Sequence, residues 1–194
     1  MIHYQSTFLK VAFALALLTG TYSCNPNKPE DSKEAAEESN DSKLETNSGE
    51  KNAQFLVEVS EINMEEVSLG RLALMKGTSS HVKELAQMMV DEHTKSMTQL
   101  TSLAKTKMVT LPTTETEKVQ ESYKKLDEKT GMDFDKKYCG MMVDGHKDAI
   151  SKFENASESS DLEIKTWAND MLPGLRMHLK QSEDCQKKCE AMAN

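Results

Sequence analysis

The sequence predicts an all-α protein, a four-helix bundle whose two helical hairpins are joined by a short crossover helix. Three observations lead there. Gly and Pro are scarce, at 8 and 4 of 194 residues, while the good helix formers Glu, Lys, Leu, Met and Ala are plentiful. Apolar residues recur every three or four positions from Ala53 onward. The recurrence breaks at 77–80, at Leu111-Pro112, at Gly131 and at 157–160, which cuts the pattern into helices of sensible length.

The first long helix runs from Ala53 to the 77–80 break, with Phe55, Val59, Ile62, Leu69, Leu72 and Ala73 on one stripe. The second starts at Ser79 or Ser80, either a fair N-cap, and turns Val82, Leu85, Ala86, Met89, Val90, Met97, Leu100 and Leu103 inward. A short, polar helical stretch over 115–129 follows, ended by Gly131, and is expected to cross over the bundle. The third long helix covers 133–156, with Phe134, Tyr138, Met141, Met142, Ile150 and Phe153 inward. Leu162, Ile164, Trp167, Ala168, Leu172, Leu175 and Leu179 build the fourth, with a kink expected at Pro173, which removes one ladder bond. Two hairpins joined by a long connection match the ferritin-like variant of the bundle.

The two ends of the chain are unlike this part. Lys10, the apolar run 11–18 and the small residues before Cys24 read as a signal peptide over 1–23, too short to span a bilayer as a permanent helix. The stretch from Leu18 to Cys24 resembles a loose lipobox, with Ser23 before a cysteine that is lipidated after cleavage. Thr21 and Tyr22 depart from the strict pattern, so ordinary cleavage or an uncleaved anchor stay open. Acylated Cys24 would anchor the chain in the bacterial envelope, at the outer membrane, with the membrane as anchor and not as substrate. Residues 24–51 are nearly all polar, with Leu44 their one large apolar side chain, and are expected to form a disordered tether. The folded domain is then 52–192. A net charge of −8 with no basic stripe argues against a nucleic-acid partner, and no protein partner can be named.

The most specific feature is a repeated hexapeptide: residues 88–93, Met-Met-Val-Asp-Glu-His, return at 141–146 as Met-Met-Val-Asp-Gly-His. One difference in six, inside two long helices, suggests related halves with His93 and His146 in equivalent places. Both histidines lie on the apolar stripe, as do Glu66 and His178, so each long helix offers one inward polar group. A cluster of Glu66, His93, His146 and His178 could bind a transition metal, since bundle cores hold metals on such side chains and a lone buried carboxylate is costly. Helical rise puts Glu66 and His93 roughly 5 Å apart along the axis, but His178 roughly 9 Å out of step with His146. The Glu-x-x-His pairs of di-iron bundles are absent, with Val90 and Val143 in the needed positions, which speaks against oxidase chemistry. No nucleophile triad or phosphate loop is present either, so no catalytic residue is assigned. The competing reading is a polar network of core histidines that fixes helix register without any metal.

Thirteen methionines, among them Met89, Met97, Met142 and Met177 near the histidines, admit a copper reading, although core filler explains them better. Cys185 and Cys189, four apart on the last helix, suggest a disulfide if the helix end frays, or free thiols, with Cys139 left over.

The segments 65–70, Glu-Glu-Val-Ser-Leu-Gly, and 88–93, Phe134-Asp135 with Tyr138, His146, and Leu172-Pro173 followed by His178 together resemble the bacterial domain of unknown function 4142 over about 53–185. The resemblance implies a ferritin-like fold in exported, often lipid-anchored proteins. Its recurrent polar residues fall on Glu66, His93, His146 and His178.

Overall fold

The computed structural model describes residues 30–44 and 46–192. Among these residues are six helices and no strand: α1 (Ser32–Asp41), α2 (Asn47–Lys76), α3 (Ser80–Thr106), α4 (Glu117–Asp127), α5 (Gly131–Ala156) and α6 (Leu162–Ala191). The signal peptide expected over 1–23 and the lipidation expected at Cys24 lie outside the described residues. No described helix is long and apolar enough to cross a membrane.

α2 pairs with α3 and α5 with α6, and the two hairpins meet through α2 against α5 and α3 against α6. α4, with Val119 and Leu126 buried, lies on α2 and α5. Helix starts follow capping chemistry. Thr46, Thr116 and Asp161 each accept a hydrogen bond from a backbone N–H in the first turn of α2, α4 and α6. Ser79 precedes α3 without capping it by its side chain, because its hydroxyl donates to Asp135 instead. Gly70 lets α2 and α3 approach closely: a Cβ there would sit 2.8 Å from Val90 Cγ2 and 3.1 Å from the Ala86 carbonyl.

Two expectations change. The tether expected over 24–51 is helical over much of its length, since α1 occupies 32–41 and α2 begins at Asn47, six residues ahead of Ala53. What orders α1 is polar pairing. Asn40 donates to the Thr110 carbonyl and accepts from the Thr110 N–H, at 2.9 and 2.7 Å, as a backbone partner would. Ser32 accepts from Thr113 N, Asp31 accepts from Glu117 N, and Lys33 pairs with Glu61 at 3.1 Å. α1 thus clips the connection between the hairpins. Second, Leu162, expected inward, is 75% exposed, because it opens α6 before the helix reaches the core. Pro173 lies inside α6, on an exposed position.

The core is split. One apolar cluster gathers Phe55, Leu56, Val59, Ile62, Leu100, Ala149, Phe153, Ile164, Ala168, Leu172 and Leu175, with the rings of Phe55, Phe153 and Trp167 packed edge-on or tilted. The other gathers Leu69, Leu72, Val82, Leu85, Met89, Phe134, Tyr138, Cys139, Met142 and Cys185. On α2 the first cluster ends at Ile62 and the second starts at Leu69; on α3 the gap is Met89 to Leu100, on α5 Met142 to Ala149, on α6 Leu175 to Cys185. Glu66, His93, His146 and His178 fall in these four gaps. The molecule carries a polar layer between two oily ones.

Candidate metal centre

His93, His146 and His178 are buried, at 4%, 1% and 6% exposure, and their rings form a triangle with centroids 5.5, 5.6 and 5.4 Å apart. One ligand nitrogen from each lies within 4.8 Å of the other two. The hydrogen bonds show which nitrogens of His93 and His146 are left free for a ligand. His93 Nδ1 is 2.9 Å from Asn63 Oδ1, and His146 Nδ1 is 2.8 Å from the Met142 carbonyl; with each Nδ1–H donating, Nε2 keeps its lone pair. His93 Nε2, His146 Nε2 and His178 Nδ1 are buried without a hydrogen-bond partner in the protein.

The rings are neutral. Burial, with the neighbouring rings of His146 and His178, holds His93 well below the ordinary imidazole value. Burial takes His146 down to about 4, against the opposing bond from Met142 and with His178 adding to the fall. Burial lowers His178, and Glu92 partly opposes it. Three deprotonated imidazoles facing one point are a donor set for zinc or copper(II). A surface cavity of about 340 Å³, lined in part by Glu92, His93, Trp167 and His178, reaches two of them from outside.

Glu66 stands beside this triangle and outside the mutually close set. Its Oε1 is 3.7 Å from His146 Nδ1, the nitrogen already committed to Met142, and its Oε2 has no partner. Burial, then the charge of Glu65, raises its carboxyl well above the ordinary value. Burial disfavours the charged form of both groups, and with His146 neutral at pH 7 their contact is no ion pair. The carboxyl rests on α5 where Gly145 leaves room: a Cβ there would be 3.0 Å from Glu66 Oε1. The one difference between the two hexapeptides, Glu92 against Gly145, thus sits where Glu66 needs space. The Tyr138 hydroxyl, also buried without a partner, is raised by burial and by Glu66.

All four expected residues line the layer, and three of them converge. The axial mismatch expected for His178 is absent, because α5 and α6 are paired in a different register from one counted out from their turn. The bridge Cys139–Cys185 shows that register, with Cα atoms 6.0 Å apart. Each cysteine is seven residues beyond its helix's histidine (146 − 139 = 7; 185 − 178 = 7), so the histidines face each other two turns away. The expected Cys185–Cys189 bridge is corrected here: α6 stays regular to Ala191, which keeps the two sulfurs one turn apart, and Cys189 is a free buried thiol. Asp91 and Asp144 are exposed, away from the layer. Met89 and Met142 are core residues of the second cluster, and Met177 is exposed.

Sequence reasoning missed Asn63, although four residues after Val59 it lies on the α2 stripe. Asp135 was noticed only as part of a motif. Fully buried, it accepts from the N–H and hydroxyl of both Thr78 and Ser79, tying α5 to the turn before α3. Burial pushes its carboxyl up, but those hydrogen bonds outweigh it and leave the group below its ordinary value.

The model of a family described as a domain of unknown function, DUF4142, matches residues 33–185. Searches of curated proteins and of solved structures find no match to the chain. The matched span takes in α1 from its second residue, the whole polar layer and the Cys139–Cys185 bridge. Covering well over half of the sequence, it shows that the chain belongs to the DUF4142 family.

Proposed function

We propose that this protein is an exported lipoprotein, held by acylated Cys24 at the bacterial outer membrane, whose ferritin-like bundle binds a divalent or copper ion for metal buffering or stress tolerance. His93 and His146 Nε2 and His178 Nδ1 would hold the ion, and Asn63 and the Met142 carbonyl orient two of the rings. Glu66 would serve as a neighbouring carboxyl, which the ion's charge draws toward its ionised form. The carrying observation is that three buried histidines each bring a ring nitrogen within 4.8 Å of the other two, and each keeps one buried nitrogen without a partner. Each such atom costs about 1–3 kcal/mol when left unsatisfied, and one cation satisfies all three. The ferritin-like reading rests on the pairing of α2 with α3 and α5 with α6, with α4 in the connection between them. The anchor reading rests on residues 1–24 alone.

Metal analysis of the chain purified without a histidine tag, followed by titration with copper, zinc and iron, tests this. One ion per chain is expected, lost in His93→Ala and in His146→Ala. Failure of the wild type to take up any of the three, with metal-free stability intact, would leave the histidines as a register-fixing polar network.

A further inference from the structure

A second cluster of metal-type side chains lies in the other apolar core, where α5, α6 and the first turn of α3 meet. Cys139 of α5 and Cys185 of α6 form the bridge. Cys189, one turn beyond Cys185, is fully buried, with its Sγ 3.9 Å from Cys139 Sγ and 3.2 Å from His81 Nε2. A ring nitrogen of His81, Cys185 Sγ and Cys189 Sγ all lie within 4.8 Å of one another. A single free thiol in an apolar core is ordinarily inert filler. Here His81, Cys185 and Cys189 form the mutually close set, and Cys139 Sγ stands beside it, bonded to Cys185 and 3.9 Å from Cys189 Sγ, as the fourth donor that reduction would release.

We propose that His81, Cys139, Cys185 and Cys189 form a second, redox-gated metal centre that takes one thiophilic ion of the zinc type when the Cys139–Cys185 bridge is reduced. Three thiolates and one imidazole are a closed tetrahedral donor set of the kind that structural zinc uses. Reduction adds two electrons and two protons to the disulfide, supplied by a dithiol reductant that becomes a disulfide itself; the S–S bond breaks and two thiols result. Metal uptake then forms three metal–sulfur bonds and one metal–nitrogen bond, and the three thiol protons leave to solvent. His81 is partly exposed, and with Cys185 it lines a surface cavity of about 340 Å³, the ion's way in. Oxidised, the bridge ties α5 to α6; reduced and loaded, the ion ties them at the same level. The sulfur-rich set is also softer than the three histidines, so the two centres select different ions.

The two centres share no ligand, so each can fail alone. The chain carrying Cys24→Ser has only the three buried cysteines. Reduced with a dithiol, desalted without oxygen and titrated with cobalt(II), it is expected to show thiolate-to-cobalt charge transfer and tetrahedral d–d absorption, complete at one equivalent and erased by one equivalent of zinc(II). The same chain with the bridge intact should lack that absorption. The double variant His93→Ala/His146→Ala should keep it, and Cys189→Ser should lose it. Because Cys189 is fully buried, His81→Ala at a partly exposed position is the second probe: zinc affinity should fall by more than about tenfold with helix content unchanged. A reduced chain without the thiolate absorption, or absorption unaltered in both Cys189→Ser and His81→Ala, overturns the proposal.

Discussion

Asp135 and Glu66 are both buried carboxyls on α-helices, at 0% and 3% exposure, and they are held in opposite ways. Asp135 accepts four hydrogen bonds from two consecutive residues, and its ionised form is favoured in spite of burial. Glu66 has one unpartnered oxygen and a neutral imidazole beside it, and its ionised form is disfavoured. A buried charge that is fully bonded is architecture, since removing it strands its partners. A buried carboxyl left short of partners, next to three lone pairs, is costly for folding alone, which is why it points to a ligand.

The comparison can be broken most easily at Asp135. Asp135→Ala should cost about 3–5 kcal/mol in urea unfolding, because two N–H groups and two hydroxyls lose their acceptor; a loss below about 1 kcal/mol would mean that the clamp is not structural. Next in size is the ion itself. At a free zinc concentration a hundredfold above its dissociation constant, the wild type should gain about 2.7 kcal/mol. A less drastic clamp variant, Asp135→Asn, should gain as much, and His93→Ala nothing.

Glu66→Gln reads the other side. A carboxyl raised by folding contributes stability below pH 4.5 that is lost as pH rises, so the metal-free Gln variant should be about 1–2 kcal/mol more stable than wild type at pH 7, with the difference gone near pH 4. The histidines move in the reverse sense. Their folded values are lowered, so the metal-free wild type should lose stability as pH falls from 6.5 toward about 4, where His146 titrates. Asp135 contributes only below that, as pH drops through its lowered value from 3.8. Between pH 4.5 and 6.5 the Glu66 and histidine effects oppose each other, so a urea series across pH separates them only when wild type and Glu66→Gln are run side by side. The smallest effect is expected for Gly145→Ala: better helix propensity is offset by crowding of Glu66 Oε1, for a net change under about 1 kcal/mol. A drop beyond about 2 kcal/mol would show the Glu66 carboxyl to be wedged and unable to yield.

Much of this could be read in advance. Most of the stripe residues that define the long helices fill the two apolar clusters; Leu162 is exposed, and Val90 and Leu179 are half-buried outside both. The repeated hexapeptide placed His93 and His146 correctly in one layer. Composition failed for α1, since counting apolar residues misses an asparagine that pairs with backbone at both ends of its amide. Spacing failed for the cysteines. Proximity along α6 suggested Cys185 with Cys189, whereas the partner of Cys185 came from 46 residues away.

Helical periodicity is local, a matter of 3.6 residues per turn acting on side chains within one segment. The linear order of residues therefore already contained the all-helical character, the four long helices with their crossover, the inward faces and the identity of the polar groups on them. The axial level at which one helix meets another depends on how whole surfaces interlock, and no count from a turn supplies it. That is why the approach of His178 to His146, the withdrawal of Glu66 from their triangle and the meeting of Cys139 with Cys185 emerged only in three dimensions.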